Sequence, residues 1–217
     1  MDGGLYRDVV ELAARTPEWF RGLAETGTDG MLVVFAVLSL WVWWRARRGS
    51  AGTMALALLG PVGTVTAYVV SEVVKVVLRE DRPCRALRGV STIVPCPPYG
   101  DWSLPSNHAT LAAGAAAGLV LAWRALAPYV VVLALLGGAS RVFVGAHYPH
   151  DVVVGLLLGG VLTPVVVLAL SGPATALVER LRGLAALRPL LLASGGLTPE
   201  ARSGPGRPHS PSARRTG

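Results

Sequence analysis

The sequence predicts an all-α fold, a polytopic membrane helix bundle of about five transmembrane helices. Of the 217 residues, 52% are hydrophobic and only 15% are charged, and the mean hydropathy is +0.52. The apolar residues form long blocks instead of the stripe that a surface helix carries, and each block approaches the roughly 20 residues that cross a bilayer. Buried helices of a soluble protein are the alternative, but so many in one small chain would leave too little polar surface to cover them.

The segment before the first block, residues 1–26, is predicted to be an N-terminal interfacial helix. It is not a signal peptide, because acidic residues interrupt it and it has no continuous apolar core. Leu5, Val9 and Leu12 fall on one helical face, which suits a helix lying in the membrane interface. An ordinary solvent-exposed helix is the alternative.

Residues 27–172 form the predicted transmembrane domain. Its spans are expected at approximately 27–46, 51–78, 108–123, 126–146 and 152–172. After Pro173 the pattern becomes amphipathic, which predicts a cytoplasmic helix lying in the interface over 173–193. Residues 194–217 are rich in Pro, Gly, Ser and Arg, so we expect a disordered basic tail in which His209 has no catalytic role.

Basic residues in the short links indicate the orientation of the chain in the membrane. Cytoplasmic loops carry an excess of Lys and Arg, so the links after the first, third and fifth spans, and the C-terminus with them, are expected in the cytoplasm. Their arginines are Arg45, Arg47, Arg48, Arg124, Arg180, Arg182 and Arg188. The N-terminus and the loops 79–107 and 147–151 then face outward, at the extracytoplasmic side. The loop 79–107 is itself rich in arginine, which calls for a further explanation.

The two cysteines, Cys84 and Cys96, both lie in that outer loop. An oxidising compartment favours a disulfide between them, in agreement with the outward orientation, and two free thiols are the alternative. The net charge of +7 comes mostly from the cytoplasmic arginines and the outer loop, and aromatic and basic residues do not interleave as in a nucleic-acid groove. We therefore expect membrane lipids around the protein and no nucleic-acid partner, and the sequence leaves the oligomeric state open.

Polar residues that carry chemistry collect in three stretches, all at the outer ends of spans two to five. Lys75, Arg82 and Arg141 supply a surplus of positive charge with few acidic partners, which predicts a bound anion with several oxygens, phosphate above all. Ser106 suits the N-cap of span three, and the backbone amide of Asn107 would then face the anion at the positive end of the helix dipole. This binding role also explains arginine on the outer side.

The spacing of His147 and Asp151 selects a nucleophile. The two residues are four apart, so the carboxylate can hold one ring nitrogen as N–H and leave the other free to attack phosphorus. His108 arrives from another stretch and can protonate the leaving oxygen. The outer loops show no group of carboxylates or histidines that would hold catalytic ions, so we expect neither a metal nor another cofactor. His150 projects in a different direction and is interpreted as a polar residue at the start of span five.

At these residues the sequence resembles the type-2 phosphatidic acid phosphatase superfamily, the lipid phosphate phosphatase and vanadium haloperoxidase-like group. The family's three signatures stand here, in the expected order, as "KVVLREDRP" from Lys75, "PSNH" from Pro105 and "SRVFVGAHYPHD" from Ser140. The resemblance covers roughly residues 50–172. It implies metal-free action on lipid phosphates or pyrophosphates at the outer face of the membrane. It also implies phosphate binding by Lys75, Arg82, Ser106, Asn107 and Arg141, with His108 as the acid, His147 as the nucleophile and Asp151 as its orienting partner.

One position departs from the family pattern, because Asn107 stands where the family has glycine. Glycine there lets the backbone take an uncommon conformation and present its amide to phosphate. Asn is the other residue that best tolerates left-handed dihedral angles. We therefore expect retained activity with a tighter pocket.

The sequence thus predicts an integral-membrane, metal-independent phosphatase of lipid phosphates or pyrophosphates that acts through a phosphohistidine. Polyprenyl pyrophosphate, cleaved to the monophosphate, is the first substrate expected, and phosphatidic acid or phosphatidylglycerol phosphate is the second. A phosphotransferase would use the same intermediate with another acceptor. A lipid-binding scaffold without turnover is the non-enzymatic alternative, and the intact His108, His147 and Asp151 argue against it.

Overall fold

The protein, seen in a computed structural model, is described over residues 3–193 and is all-helical. Helices make up 77% of the described residues, which form no strand. The helices are α1 (Gly3–Ala14), α2 (Glu18–Ala46), α3 (Ala51–Leu78), α4 (Pro83–Ala86), α5 (Asn107–Ala122), α6 (Ala127–Phe143), α7 (Pro149–Arg182) and α8 (Arg188–Leu191), with a 3₁₀ turn at Arg124–Leu126 before α6.

The long helices have the length and composition of membrane spans. Within residues 3–193, four candidates meet both conditions, namely α2, α7, the stretch Ala51–Ala86 that begins with α3 and the stretch Arg124–Phe143 that includes α6, and α5 is a shorter apolar helix. Apolar side chains cover the outside of the bundle: Val37 is 57% exposed, Val69 52% and Leu157 60%. Because apolar surface on this scale suits lipid and not water, the chain is a multi-pass membrane protein, as the sequence predicts.

Helices α3, α5 and α7 form the centre of the bundle, where small residues allow close approach. A Cβ atom on Gly118 of α5 would lie 2.8 Å from the Cα of Gly60 in α3. A Cβ on Gly114 would lie 2.8 Å from the Thr163 hydroxyl of α7. This backbone-to-backbone packing is the usual way in which helices associate within a bilayer, and it holds the helix ends that carry the predicted site in a common frame.

The predicted interfacial segment 1–26 is divided in the structure. Helix α1 ends at Ala14 and α2 begins at Glu18, so the predicted boundary at residue 26 was wrong and residues 18–26 belong to the first long helix. Proline disfavours a helical conformation in the residue before it, and Pro17 separates the two helices. The ring of Phe20 packs edge-on against Phe143 with centroids 5.5 Å apart, which places the first turn of α2 against the end of α6.

The predicted separate helix over 173–193 was also wrong. Helix α7 continues through Pro164 and Pro173 to Arg182, and the short α8 follows it. A proline inside a helix removes one backbone hydrogen bond, but packed membrane helices tolerate that loss, so the Gly172–Pro173 pair does not end the helix. The predicted tail, 194–217, lies outside the described residues.

Helix α1 lies against the connection between α6 and α7. Tyr6 is fully buried, and its hydroxyl donates to the carbonyl of Gly145 at 2.9 Å. Its ring lies 5.4 Å from the ring of Tyr148. Gly145 has a φ of +83°, a left-handed conformation that ends α6 before the predicted position 146 and that glycine adopts without steric cost. Helix α1 therefore supports the turn that precedes His147.

Candidate active site

The predicted site residues come together at one end of the bundle, where α3 ends, α5 begins and α6 connects to α7. Two backbone hydrogen bonds tie the three stretches to one another. The amide of Ser103 donates to the carbonyl of Glu80 at 2.8 Å, and the amide of Ser106 donates to the carbonyl of Asp151 at 3.0 Å. Residues from distant parts of the sequence are thus held at fixed relative positions.

His147 and Asp151 form a buried pair at the start of α7, 1% and 0% exposed. Nδ1 of His147 lies 3.3 Å from Oδ2 of Asp151. The same oxygen accepts from the Ser103 hydroxyl at 2.5 Å and from the backbone amide of Tyr148 at 2.8 Å. Asp151 therefore caps the first turn of α7 while it bonds to the imidazole. Since a carboxylate accepts only, Nδ1 carries the proton and Nε2 keeps a lone pair.

The surroundings of His147 keep its imidazole neutral. Burial lowers the pKa of His147 to about 4, the charges of Arg82 and Arg141 act in the same direction, and the hydrogen bond to Asp151 opposes them. Nη1 of Arg82 lies 3.2 Å from Nε2 of His147 and 3.1 Å from the carbonyl of Ala146. A guanidinium can only donate, so Nε2 is the acceptor in this contact. The atom with the lone pair thus lies directly beside a cation.

Lys75 and Arg82 are buried together and share a carboxylate partner that the sequence did not assign. Both are nearly inaccessible, 3% and 4% exposed. Nη2 of Arg82 lies 2.7 Å from Oδ1 of Asp101, and Nζ of Lys75 lies 3.5 Å from the same oxygen. Burial alone would raise the pKa of Asp101, but the hydrogen bond and charge of Arg82, together with Lys75, outweigh it and lower the pKa. The carboxylate makes the contacts that an anionic ligand would make with these two cations.

The loop that carries Asp101 is tied down by a disulfide and by arginine. Cys84, in α4, is bonded to Cys96. Arg85 donates to the carbonyl of Pro97 at 2.7 Å and to the carbonyl of Asp101 at 3.0 Å. The arginine-rich loop 79–107 therefore folds back on itself over the Lys75–Arg82 pair.

Ser106 and Asn107 begin α5, but with contacts other than those expected. Ser106 is the N-cap residue and is fully buried, and its hydroxyl has no hydrogen-bond partner among the described residues. Asn107 has no positive φ, so the expected left-handed conformation was wrong, because this residue already belongs to the first turn of the helix. Its side chain accepts from the Ser71 hydroxyl at 2.9 Å and donates to Glu72 at 2.5 Å. The residue that replaces glycine thus links α5 to α3.

His108 and Arg141 contact α2, which carries none of the motifs. Nε2 of His108 lies 2.8 Å from Oδ1 of Asp29. Arg141 donates to the hydroxyl of Thr28 at 3.4 Å, and the Nε atom of Arg141 is buried without a hydrogen-bond partner in the described part of the chain. Sequence reasoning missed Thr28 and Asp29, and their signal was a polar pair at the beginning of the first apolar block.

His150 belongs to a group that the sequence did not anticipate. Glu80, His150 and Asp151 each place one possible metal-ligand atom within 4.8 Å of the others, so the expectation that the outer loops hold no such group was wrong. Nε2 of His150 lies 2.8 Å from Glu80 Oε1 and 3.2 Å from Asp151 Oδ1. Nε2 of His150 bonds to Glu80, Oδ1 of Asp151 has no hydrogen-bond partner among the described residues, and the ring stacks on Tyr148. The group therefore links the loop after α3 to the first turn of α7.

The arrangement offers a complete set of groups for phosphoryl transfer. It contains a neutral imidazole whose unprotonated Nε2 accepts from Arg82, and a second imidazole on a neighbouring helix. The buried Ser106 hydroxyl and the Arg141 Nε–H are further donors without partners among the described residues. Cations and oriented donors stabilise the charge that develops on equatorial phosphoryl oxygens.

Known proteins with similar sequences are lipid phosphatases by name. The chain is 29% identical over 136 residues to undecaprenyl-diphosphatase BcrC of Bacillus subtilis, covering 61% of this chain and 67% of that one. It is 36% identical over 101 residues to undecaprenyl-diphosphatase of Sulfolobus acidocaldarius, covering 45% and 47%. It is 31% identical over 129 residues to decaprenylphosphoryl-5-phosphoribose phosphatase of Mycobacterium tuberculosis, covering 53% and 70%. The chain thus spans about half the length of the Sulfolobus relative and about two thirds of the others.

A solved structure shares the fold, and a family model matches the region of the site. The transmembrane PAP2-type phosphatidylglycerolphosphate phosphatase of Bacillus subtilis superimposes with a TM-score of 0.57 at 21% identity, over 78% of this chain and 86% of that one. The PAP2 superfamily model matches residues 55–172, which is more than half of the chain and includes the three motifs but neither α1 nor α2. The chain belongs to the PAP2 superfamily.

Proposed function

We propose that the protein is a metal-independent phosphatase that removes the terminal phosphate of a polyprenyl diphosphate through a phosphohistidine at His147. The observation that carries this proposal is the buried His147–Asp151 pair, because it leaves Nε2 unprotonated beside Arg82. Two relatives that bear the name undecaprenyl-diphosphatase support the diphosphate substrate.

In the first step the terminal phosphate displaces the Asp101 carboxylate from Lys75 and Arg82. Nε2 of His147 attacks the terminal phosphorus, the bond to the bridging oxygen breaks, and the lipid monophosphate leaves with a proton from His108. Asp151 stabilises the charge that the imidazole gains. Arg141 and the Ser106 hydroxyl, both with donors that lack protein partners among the described residues, bind the equatorial oxygens.

In the second step His108 takes a proton from a water molecule that attacks the phosphohistidine. The phosphorus–nitrogen bond breaks, inorganic phosphate is released and His147 returns to the neutral form. The neutral Nε2 is the required starting state, and the lowered pKa of His147, about 4, secures it at neutral pH.

The bundle offers a place for the lipid chain next to these groups. A groove of about 690 Å³ lies between α2, α3 and α5 and is almost entirely apolar. Its lining includes Leu32 and Leu111, which follow Asp29 and His108 by about one helical turn. A lipid tail in the groove would leave its phosphate at the cations.

The proposed orientation places this site on the extracytoplasmic side and the C-terminus in the cytoplasm. The other end of the bundle carries the arginine-rich links, where Arg45 stacks 4.2 Å from the ring centroid of Trp123 and Arg48 lies 5.0 Å from that of Trp44. Aromatic rings mark either interface of a membrane protein, and an excess of arginine in short loops favours the cytoplasmic one. Labelling of single cysteines introduced beside Gly89 and Gly183 in intact cells tests the orientation, and labelling from outside at Gly183 would contradict it.

The decisive experiment is phosphate release by the purified protein in detergent, with polyprenyl diphosphate, phosphatidylglycerol phosphate and phosphatidate compared in the presence and absence of chelator. We expect the diphosphate to be preferred and the chelator to have no effect. The PAP2-type phosphatidylglycerolphosphate phosphatase with the same fold makes the second lipid the alternative substrate. Transfer of phosphate to an added acceptor alcohol in preference to water would instead indicate a phosphotransferase.

His147→Gln and His150→Gln form a matched pair of variants for the nucleophile. The first removes the attacking nitrogen and should abolish turnover. The second alters a ring that bonds to Glu80 and lies beside Oδ1 of Asp151, whereas the imidazole of His147 bonds to Oδ2, so activity should stay within about threefold. Turnover that survives in the His147 variant would end the phosphohistidine proposal.

A further inference from the structure

The carboxylate of Asp29, on α2, lies 2.8 Å from Nε2 of His108. Helix α2 is outside the region that the family model matches. We infer that Asp29 is a positioning residue for His108, whose imidazole it orients for the transfer of a proton to the leaving group. This inference rests on the proposed function, in which His108 is the acid.

The backbone of α2 is anchored at this level of the bundle by the neighbouring residue. Thr28 is 2% exposed, and its hydroxyl lies 2.7 Å from that of Ser140 in α6. The same hydroxyl accepts from Arg141 at 3.4 Å. Two consecutive residues of α2 therefore contact two residues of the proposed site, and the buried contact of Thr28 determines where the Asp29 side chain begins.

The exposure of Asp29 argues against a role in holding the fold together. Its side chain is 78% exposed, while that of His108 is 25% exposed. Ion pairs between solvent-exposed groups add little to stability. The contact does, however, fix the direction of the His108 imidazole. It also requires a proton on Nε2, the nitrogen that a substrate oxygen would approach.

The charges around His108 are two cations and one carboxylate. Arg141 on α6 and Lys75 on α3 are both positive, and Asp29 on α2 supplies the negative charge that opposes them, with Oδ1 at 2.8 Å from Nε2 of His108. An acid must hold its proton at the operating pH to deliver it. When the leaving oxygen gains negative charge, it competes with Asp29 for the Nε2 proton, and the proton moves from nitrogen to oxygen.

The test is the pH dependence of kcat for Asp29→Asn with the lipid phosphate that the wild-type protein cleaves. Loss of a nearby opposite charge at an exposed site should move the alkaline limb to lower pH by about 0.5 to 1 unit. We expect kcat to fall about three- to tenfold on the alkaline side of the limb, and kcat on its acid side and KM to change less than about twofold. Asp29→Glu should return the alkaline limb of the kcat profile to its wild-type pH. Glu25→Gln, one turn earlier on the exposed side of α2, should give the same pH profile as the wild type.

An NMR titration of the His108 imidazole in detergent gives a readout that does not depend on turnover. The proton of the ring should be lost at lower pH in Asp29→Asn than in the wild type. Superimposable pH profiles and titrations, or an equal loss of kcat at every pH, would overturn the inference. Absence of phosphatase activity in the wild-type protein would refute the proposed function instead. A His108→Ala variant with an unchanged kcat would refute the role of His108 as the acid, and the role of Asp29 with it.

Discussion

Replacement of Asp151 by Asn keeps the shape of the side chain and removes its charge. Oδ2 of Asp151 accepts from the Ser103 hydroxyl at 2.5 Å, the Tyr148 amide at 2.8 Å and Nδ1 of His147 at 3.3 Å. An amide oxygen can take over these bonds, but it no longer stabilises a charged imidazole. If the amide nitrogen faces His147 instead, Nδ1 must become the acceptor, and the proton moves to Nε2, the atom that attacks.

The expected loss follows from these two cases. A hydrogen bond to a charged group contributes about 1.5 to 3 kcal/mol, which corresponds to about a 10- to 150-fold fall in the rate of phosphohistidine formation. Reversal of the tautomer raises the loss to about 10⁴-fold, the size seen when the carboxylate of a catalytic triad is made an amide. Asp151→Asn should therefore lower kcat by a factor between about 10 and 10⁴.

The assay is a single turnover with substrate labelled in the terminal phosphate, stopped in alkali and analysed for label on the protein. Glu80→Gln is the control, because Glu80 bonds to His150 and not to His147. Thermal unfolding in detergent shows whether the variant folds. Should it not fold, Ser103→Ala removes one bond to the same carboxylate and should lower the rate about three- to tenfold. A rate of labelling in folded Asp151→Asn within about threefold of the wild type would refute the role given to Asp151.

Three further outcomes are expected. The pKa of His147 is about 4 in the fold and 6.5 ordinarily, so the unfolded chain binds more protons between these values, and stability should fall as pH is lowered from 6.5 to 4. His147→Gln should weaken that dependence in thermal melts, and an identical dependence would contradict the burial argument. Asp101→Asn frees Lys75 and Arg82 and should therefore tighten inhibition by inorganic vanadate several-fold, which corresponds to about 0.5 to 1 kcal/mol of binding free energy. Weaker inhibition would show instead that Asp101 helps the two cations to bind an anion. Asn107→Gly should lower the melting temperature, because it removes the hydrogen bonds to Ser71 and Glu72, worth about 1 kcal/mol each. An unchanged melting temperature would show that these two bonds do not stabilise the fold.

The features that the sequence predicted correctly are local ones. Blocks of apolar residues are sufficient to indicate membrane helices, since the bilayer sets their length whatever the packing. His147 and Asp151 lie one helical turn apart, so their spacing alone places them side by side. The helix ends were less accessible to prediction, because Pro17 and Pro173 look alike in sequence and only the packing of α7 lets it continue past its proline.

The sequence by itself determined the membrane-embedded helical fold, the family and the motif residues, because hydropathy and short spacings are properties of the chain. Tertiary structure decided which groups meet those residues. Asp29 lies 79 positions from His108, and Asp101 lies 19 positions from Arg82 across an irregular loop. No periodicity links such pairs, and they meet because α2 packs beside α5 and the disulfide-bridged loop 79–107 turns back over the cations. Long-range contacts of this kind depend on the packing of the whole bundle, which no short stretch of the sequence encodes.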